Sequence, residues 1–212
     1  MSAVKKRVWP KVENIFEQQL TKSTVFLNKD IISAHYIPEK LPFREKQIGE
    51  VTQGLGAVAN NAKPNNFFIY GKTGTGKTST VKHVLEQLDD FVSKRNLPVS
   101  SCYVNSRSHP SKYKVLLKAL RSFYTEKDFL GYSASFVYEK LLSFANENAA
   151  HLILVLDEID KIKDVDELMY SLSRGNDELT SGSITIIGIS NNLTFKEKLD
   201  PRTKSSLCER EM

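Results

Sequence analysis

Short apolar segments alternate along this chain with longer stretches of helical periodicity, and the alternation predicts most of the architecture. Residues 67–70, 99–104, 152–156 and 184–189 read as strands. As a set they lack the period-2 polarity of a half-exposed strand, as expected where both faces of a sheet are buried. Ile48, Val51, Leu55 and Val58 recur at helical spacing and predict a helix over 43–60, closed by Asn60-Asn61 and Pro64. Val81, Val84, Leu85 and Leu88 predict a second helix, and residues 111–124, 135–146 and 165–179 three more. Strand and helix in this order predict an α/β fold, a parallel sheet with helices on both faces. Residues 1–41 differ: short apolar groups (Val25-Phe26-Leu27, Ile31-Ile32) and two prolines, Pro38 and Pro42, predict an arm leading into a core over 42–212.

Composition changes this picture little. At 212 residues and 24.0 kDa, the chain suits one domain or slightly more. Charge is more informative, because the excess of +5 is local: residues 107–127 hold six basic residues and one glutamate, and the remainder balances. A basic segment of this kind points to a polyanion such as nucleic acid, or to a solvated helix face. Two cysteines, Cys102 and Cys208, make neither a disulfide scaffold nor a zinc site, so a reducing, cytoplasmic setting is expected. The apolar runs are far shorter than the ~20 residues of a membrane helix, and no apolar leader follows Lys5, Lys6 and Arg7.

The chemistry concentrates in two places. Gly71-Lys72-Thr73-Gly74-Thr75-Gly76-Lys77-Thr78 fits G-x-x-x-x-G-K-[ST] and lies between a predicted strand and a predicted helix. Gly71, Gly74 and Gly76, with Thr73, Thr75 and Ser79, would turn backbone N–H groups toward phosphates at the positive end of the helix. Lys77 would reach the β- and γ-phosphates of ATP or ADP, and Thr78 would offer its hydroxyl to Mg2+. Downstream, the apolar strand 152–156 ends in Asp157-Glu158. Asp157 would help hold the metal and Glu158 would polarise an attacking water, which points to hydrolysis rather than transfer to a bound acceptor. After strand 184–189 come Ser190-Asn191-Asn192, where an asparagine would face the γ-phosphate or form a turn.

The phosphate loop, Asp157-Glu158 and Asn191 together resemble an AAA+ ATPase. Their flanks are similar to the archaeal Orc1/Cdc6 replication initiators: Tyr36-Ile37-Pro38, Leu41-Pro42-Phe43-Arg44-Glu45, Leu156-Asp157-Glu158-Ile159-Asp160, Gly188-Ile189-Ser190-Asn191 and the stretch from Leu199-Asp200-Pro201-Arg202 to Ser205-Ser206-Leu207. The resemblance runs over about residues 14–210. It implies a P-loop AAA+ three-layer sandwich in which Tyr36, Ile37 and Pro38 line the adenine pocket beside Arg44. Asn191 would be a sensor of the γ-phosphate, and Arg202 would lie where the family supplies an arginine finger to a neighbouring site.

It also implies an insertion near residues 107–135 that contacts double-stranded origin DNA. Lys114, Lys118 and Arg121 recur there at i, i+4 and i+7 on one helix face. Other initiator subunits, a second copy and a replicative helicase would be the protein partners. In the family a further strand, a helical lid and a winged helix follow Ser-Ser-Leu, so the sequence predicts a core lacking all three, with the 67–70 strand left as an exposed apolar edge. The function implied is a slowly hydrolysing, origin-binding ATPase core. A clamp-loader-type switch would share the phosphate-loop and Asp-Glu motifs but not the Pro-Glu-Lys-Leu-Pro-Phe-Arg-Glu segment at residues 38–45. A fragment that retains nucleotide without turnover is the remaining alternative.

Overall fold

The computed structural model describes residues 41–124, 129, 131–205 and 208–211. Its centre is a sheet of five strands, all parallel, in the order β2-β3-β4-β1-β5: β1 Phe67–Tyr70, β2 Val99–Asn105, β3 His151–Asp157, β4 Ser183–Ser190 and β5 Cys208–Glu211. Successive side chains on a strand point to opposite faces, and the core divides accordingly. Phe68, Leu152, Leu154, Leu156, Ile184 and Ile186 pack on one side, while Phe67, Ile69, Ile153, Val155, Ile187 and Ile189 pack on the other. Every residue of β3 is buried, which accounts for its uninterrupted apolar run.

Two helices cover the second face. α1 (Glu45–Leu55) continues as a 3-10 turn, Gly56–Asn60, and Asn61 ends it in a left-handed conformation. The expected helix over 43–60 is therefore two kinds of helix in sequence. α2 (Lys77–Arg95) springs directly from the glycine loop. On the first face lie α3 (Lys112–Phe123), N-capped by Ser111, α4 (Ala134–Glu147), N-capped by Ser133, and α5 (Val165–Glu178). Two short helices, α6 (Phe195–Lys198) and α7 (Pro201–Ser205), precede β5. Among the described residues no helix is long and apolar enough to cross a membrane.

The expected exposed edge at β1 is corrected. β5 pairs with β1 in parallel, Phe67 against Cys208 through Tyr70 against Glu211. Four residues suffice to cover a four-residue strand, and Cys-Glu-Arg-Glu carries no apolar pattern by which it would be read as one. The register also brings the carboxyl ends of the strands level: Tyr70 lies opposite Ser190, and Asp157 opposite both Ile189 and Asn105. In open α/β sheets ligands bind beyond those ends.

Gly188 on β4 sits beneath the buried ring of Phe68. A Cβ there would approach Phe68 Cδ2 to 2.8 Å and Ile159 Cδ1 to 3.2 Å. Gly188→Ala is expected to cost about 1–3 kcal/mol through overpacking, read by chemical denaturation; an unchanged midpoint would refute this account of the β1–β4 contact.

Candidate functional site: a phosphate loop facing two strand-end carboxylates

The loop after β1 takes its shape from two positive-φ glycines, Gly74 (φ 80°) and Gly76 (φ 78°), conformations that a side chain would strain. Gly76 is the N-cap of α2 and accepts hydrogen bonds on its carbonyl from Thr80 N–H and Thr80 Oγ1. The Arg44 guanidinium lies against it: a Cβ on Gly76 would stand 3.5 Å from Arg44 Nε. Lys77, on the first turn of α2, folds back and donates from Nζ to the carbonyls of Gly71 and Lys72, each at 2.8 Å, and to Thr75 Oγ1 at 3.3 Å. Burial pulls its pKa below the ordinary lysine value, opposed by the nearby Asp157 carboxylate. A 19-residue helix thus presents its positive end and a partly desolvated cation at one mouth.

Asp157 ends β3 with its side chain buried. Its Oδ2 accepts from Thr78 Oγ1 at 2.9 Å and from the Tyr103 hydroxyl, and its Oδ1 accepts from the Glu158 backbone N–H at 2.9 Å. Thr78 and Asp157, far apart in sequence, are thereby brought together. Burial first, and then the Asp157 carboxylate, push the Tyr103 phenol well above the usual tyrosine range, so it stays a donor. Glu158 adopts a left-handed backbone (φ 51°, ψ 46°), a conformation costing about 1–2 kcal/mol for a residue with a Cβ. It turns the side chain away from the strand direction, where Arg107 Nε donates to Glu158 Oε2 at 3.0 Å and the guanidinium Nη2 stands 3.0 Å from the same oxygen.

Beyond β4 the two asparagines separate. Asn192 forms a local turn, its Oδ1 accepting from Thr194 N–H and Oγ1, whereas Asn191 is exposed at the level of the loop. Ser190 donates to Asp160 Oδ1 at 2.8 Å, tying this strand end to the turn after Glu158. Arg202 stands elsewhere: it is exposed and lines a cleft with Tyr170, Ser173, Arg174 and Asp177 of α5, none of them in the phosphate loop. Lys114, Lys118 and Arg121 are all exposed on α3, while Val115, Leu116, Leu117, Ala119 and Leu120 bury the other side. Lys112, of the same segment, is spent internally: its Nζ donates to Glu167 and Ser171 and its backbone N–H to Asp164. Thr73 and Ser79 stand within the loop and the first turn of α2. Tyr36, Ile37 and Pro38 lie outside the described residues, as do Ser206 and Leu207.

Tyr103 is not singled out from the sequence, and Arg107 and Asp160 figure there only within the basic segment and the Asp-Glu motif, without their contacts in the site. Each acts across strands, and the only signal that finds Tyr103 is the β2–β3 register, which a single sequence does not reveal.

A glycine loop cradling a lysine between strand and helix, facing an Asp-Glu pair two strands away, defines a P-loop ATPase of the AAA class. The chain belongs to the AAA ATPase domain family, whose pattern matches residues 40–187. Within that class it is similar to replication initiators. It is 42% identical over 200 residues to the ORC1-type DNA replication protein 1 of Archaeoglobus fulgidus, covering 94% of this chain and 49% of that protein. It is 42% identical over 208 residues to the ORC1-type DNA replication protein of Pyrococcus furiosus, covering 95% and 50%. Among solved structures it is similar to the Aeropyrum pernix ORC1 protein in complex with DNA, with a TM-score of 0.77 and 34% identity over 86% of this chain and 48% of that one. The chain spans about half the length of the curated relatives it matches. The Orc1/Cdc6 resemblance and the α/β AAA+ fold read from the motifs are borne out.

Proposed function

We propose that this chain binds ATP with Mg2+, hydrolyses it slowly, and couples its nucleotide state to the grip of a replication initiator on origin DNA. The observation that carries this reading is the Arg107–Glu158 ion pair, because it joins the residue best placed to act on water to the first residue of the basic segment.

The donor set suits Mg2+. A threonine hydroxyl and a carboxylate, 2.9 Å apart, offer hard oxygens, and among the described residues no cluster of three His, Cys, Asp or Glu gathers to form a richer cage. Mg2+ typically keeps several waters and takes one or two protein oxygens beside substrate phosphates. Thr78 and Asp157 would hold the ion, whose contribution is charge neutralisation at the phosphate oxygens. Lys77, leaving its loop carbonyls, would pair with the β- and γ-phosphates, joined by loop N–H groups of residues 71–79. Arg44, against Gly76, would flank the nucleotide. Glu158 would accept the proton of the attacking water, and exposed Asn191 would sense the γ-phosphate. Arg202, displaced from the loop and exposed, suits a finger acting on a neighbouring subunit's site, which would make turnover depend on assembly. Slow basal hydrolysis follows from Glu158 being engaged by Arg107. Lys114, Lys118 and Arg121 would contact phosphates of duplex DNA. Other initiator subunits or a second copy, and a replicative helicase, are the proposed protein partners, in the cytoplasm.

Three outcomes test this. Glu158→Gln should abolish single-turnover phosphate release while retaining ATP binding; release at an unchanged rate would remove Glu158 as the base. The Arg107 side chain is 73% exposed, and an exposed pair is worth at most about 1 kcal/mol. Arg107→Ala should therefore raise basal hydrolysis by up to about fivefold, measured as steady-state phosphate release without DNA. Replacing Lys114, Lys118 and Arg121 together by Ala should flatten the dependence of log K for DNA on log salt by as much as about 2.7; an unaltered slope would make this a solvated face.

A further inference from the structure

We propose that Tyr103 is a positioning residue that sets the orientation of the Asp157 carboxylate and so tunes the affinity of the nucleotide site for Mg2+; this rests on the ATP–Mg2+ reading above. Asp157 Oδ2 receives two hydroxyl donors from opposite flanks, Thr78 Oγ1 from α2 and the Tyr103 hydroxyl from β2, while Oδ1 receives the Glu158 N–H. The parallel register sets Tyr103 opposite Val155 and Asn105 opposite Asp157, so the phenol reaches diagonally along the neighbouring strand to the carboxylate. Its ring lies on the α2 side of the sheet, packed against that face's core, with the Lys82 ammonium 4.5 Å from its centroid. Lys82 is four residues after Thr78, on the same face of α2. One helix thus braces both donors, Thr78 directly and Tyr103 through a cation held over its ring.

A packing role alone would need the ring and not the hydroxyl. The hydroxyl has a definite task here: a carboxylate with two donors on one oxygen and one on the other has its side-chain rotation fixed, leaving few lone pairs free, all set by the protein. Such outer partners of a metal-binding group are worth about 10–100-fold in metal affinity. Tyr103→Phe keeps the ring, its packing and the Lys82 contact, and removes one hydrogen bond to Oδ2.

The test uses the full chain and a fluorescent ADP analogue, titrated in EDTA and then at rising Mg2+. For Tyr103→Phe we expect unchanged affinity in EDTA, a melting temperature lowered by a few degrees because a buried carboxylate loses one donor, and a Mg2+ midpoint raised by about tenfold or more. A midpoint equal to that of the unsubstituted chain overturns the inference while leaving the metal site intact. Equal loss of affinity in EDTA and in Mg2+ also overturns it, because the hydroxyl would then serve the loop and not the metal. If the unsubstituted chain shows no response to Mg2+ at all, the ATP–Mg2+ reading itself fails, and this inference with it.

Discussion

Burying an ionised carboxylate at the end of an apolar strand is costly unless its oxygens are hydrogen-bonded, and removing a single donor from such a group costs more than an ordinary hydrogen bond is worth. Asp157 meets that requirement with donors from three places: its own next backbone amide, the phosphate-loop helix and the outermost strand. The demand of one side chain therefore fixes where α2 starts relative to the sheet and where β2 lies against β3. The loop, the lysine it encloses and the glutamate beyond are arranged around that point.

The rest of the site is held by polar contacts between strand ends rather than by packing. Glu158 leaves β3 in a left-handed turn and meets Arg107, which follows β2. Asp160 reaches across to Ser190 at the end of β4. The two differ in exposure: the Arg107–Glu158 pair is open to solvent and individually weak, whereas Ser190 is fully buried. Within the 107–127 segment, Arg107 is engaged in the site and Lys112 holds α3 to α5. What projects from α3 is narrower than the charge tally suggests: Lys114, Lys118 and Arg121.

Much of this was legible from the residues. The 67–70 strand falls where expected because burial on both faces leaves only apolar side chains, and α3 and α5 match their predicted spans within a residue because one face of each is apolar. Gly71 to Thr78 and Asp157-Glu158 were readable because a phosphate loop needs particular residue types at fixed spacing. β5 was not, since its four mostly charged residues owe their strand conformation to the backbone of β1. Tyr103 and Arg107 were not, because their roles depend on which residue lies across the sheet, and pairing register is set by tertiary structure. The change from α-helix to 3-10 geometry at Gly56 was likewise invisible to a pattern of apolar spacing that both forms satisfy.

The strand order has a consequence for how the chain acquires its shape. β1 is made first, yet it pairs with neither β2 nor β3; its partners are β4 and β5, the two most distant strands in sequence. During synthesis β2 and β3 can zip together early, while β1 and the glycine loop behind it wait as unpaired backbone until β4 is available. Contacts of such long sequence separation are closed late and slowly. The strand that carries the glycine loop is therefore locked in place only by segments that lie more than a hundred residues further along the chain.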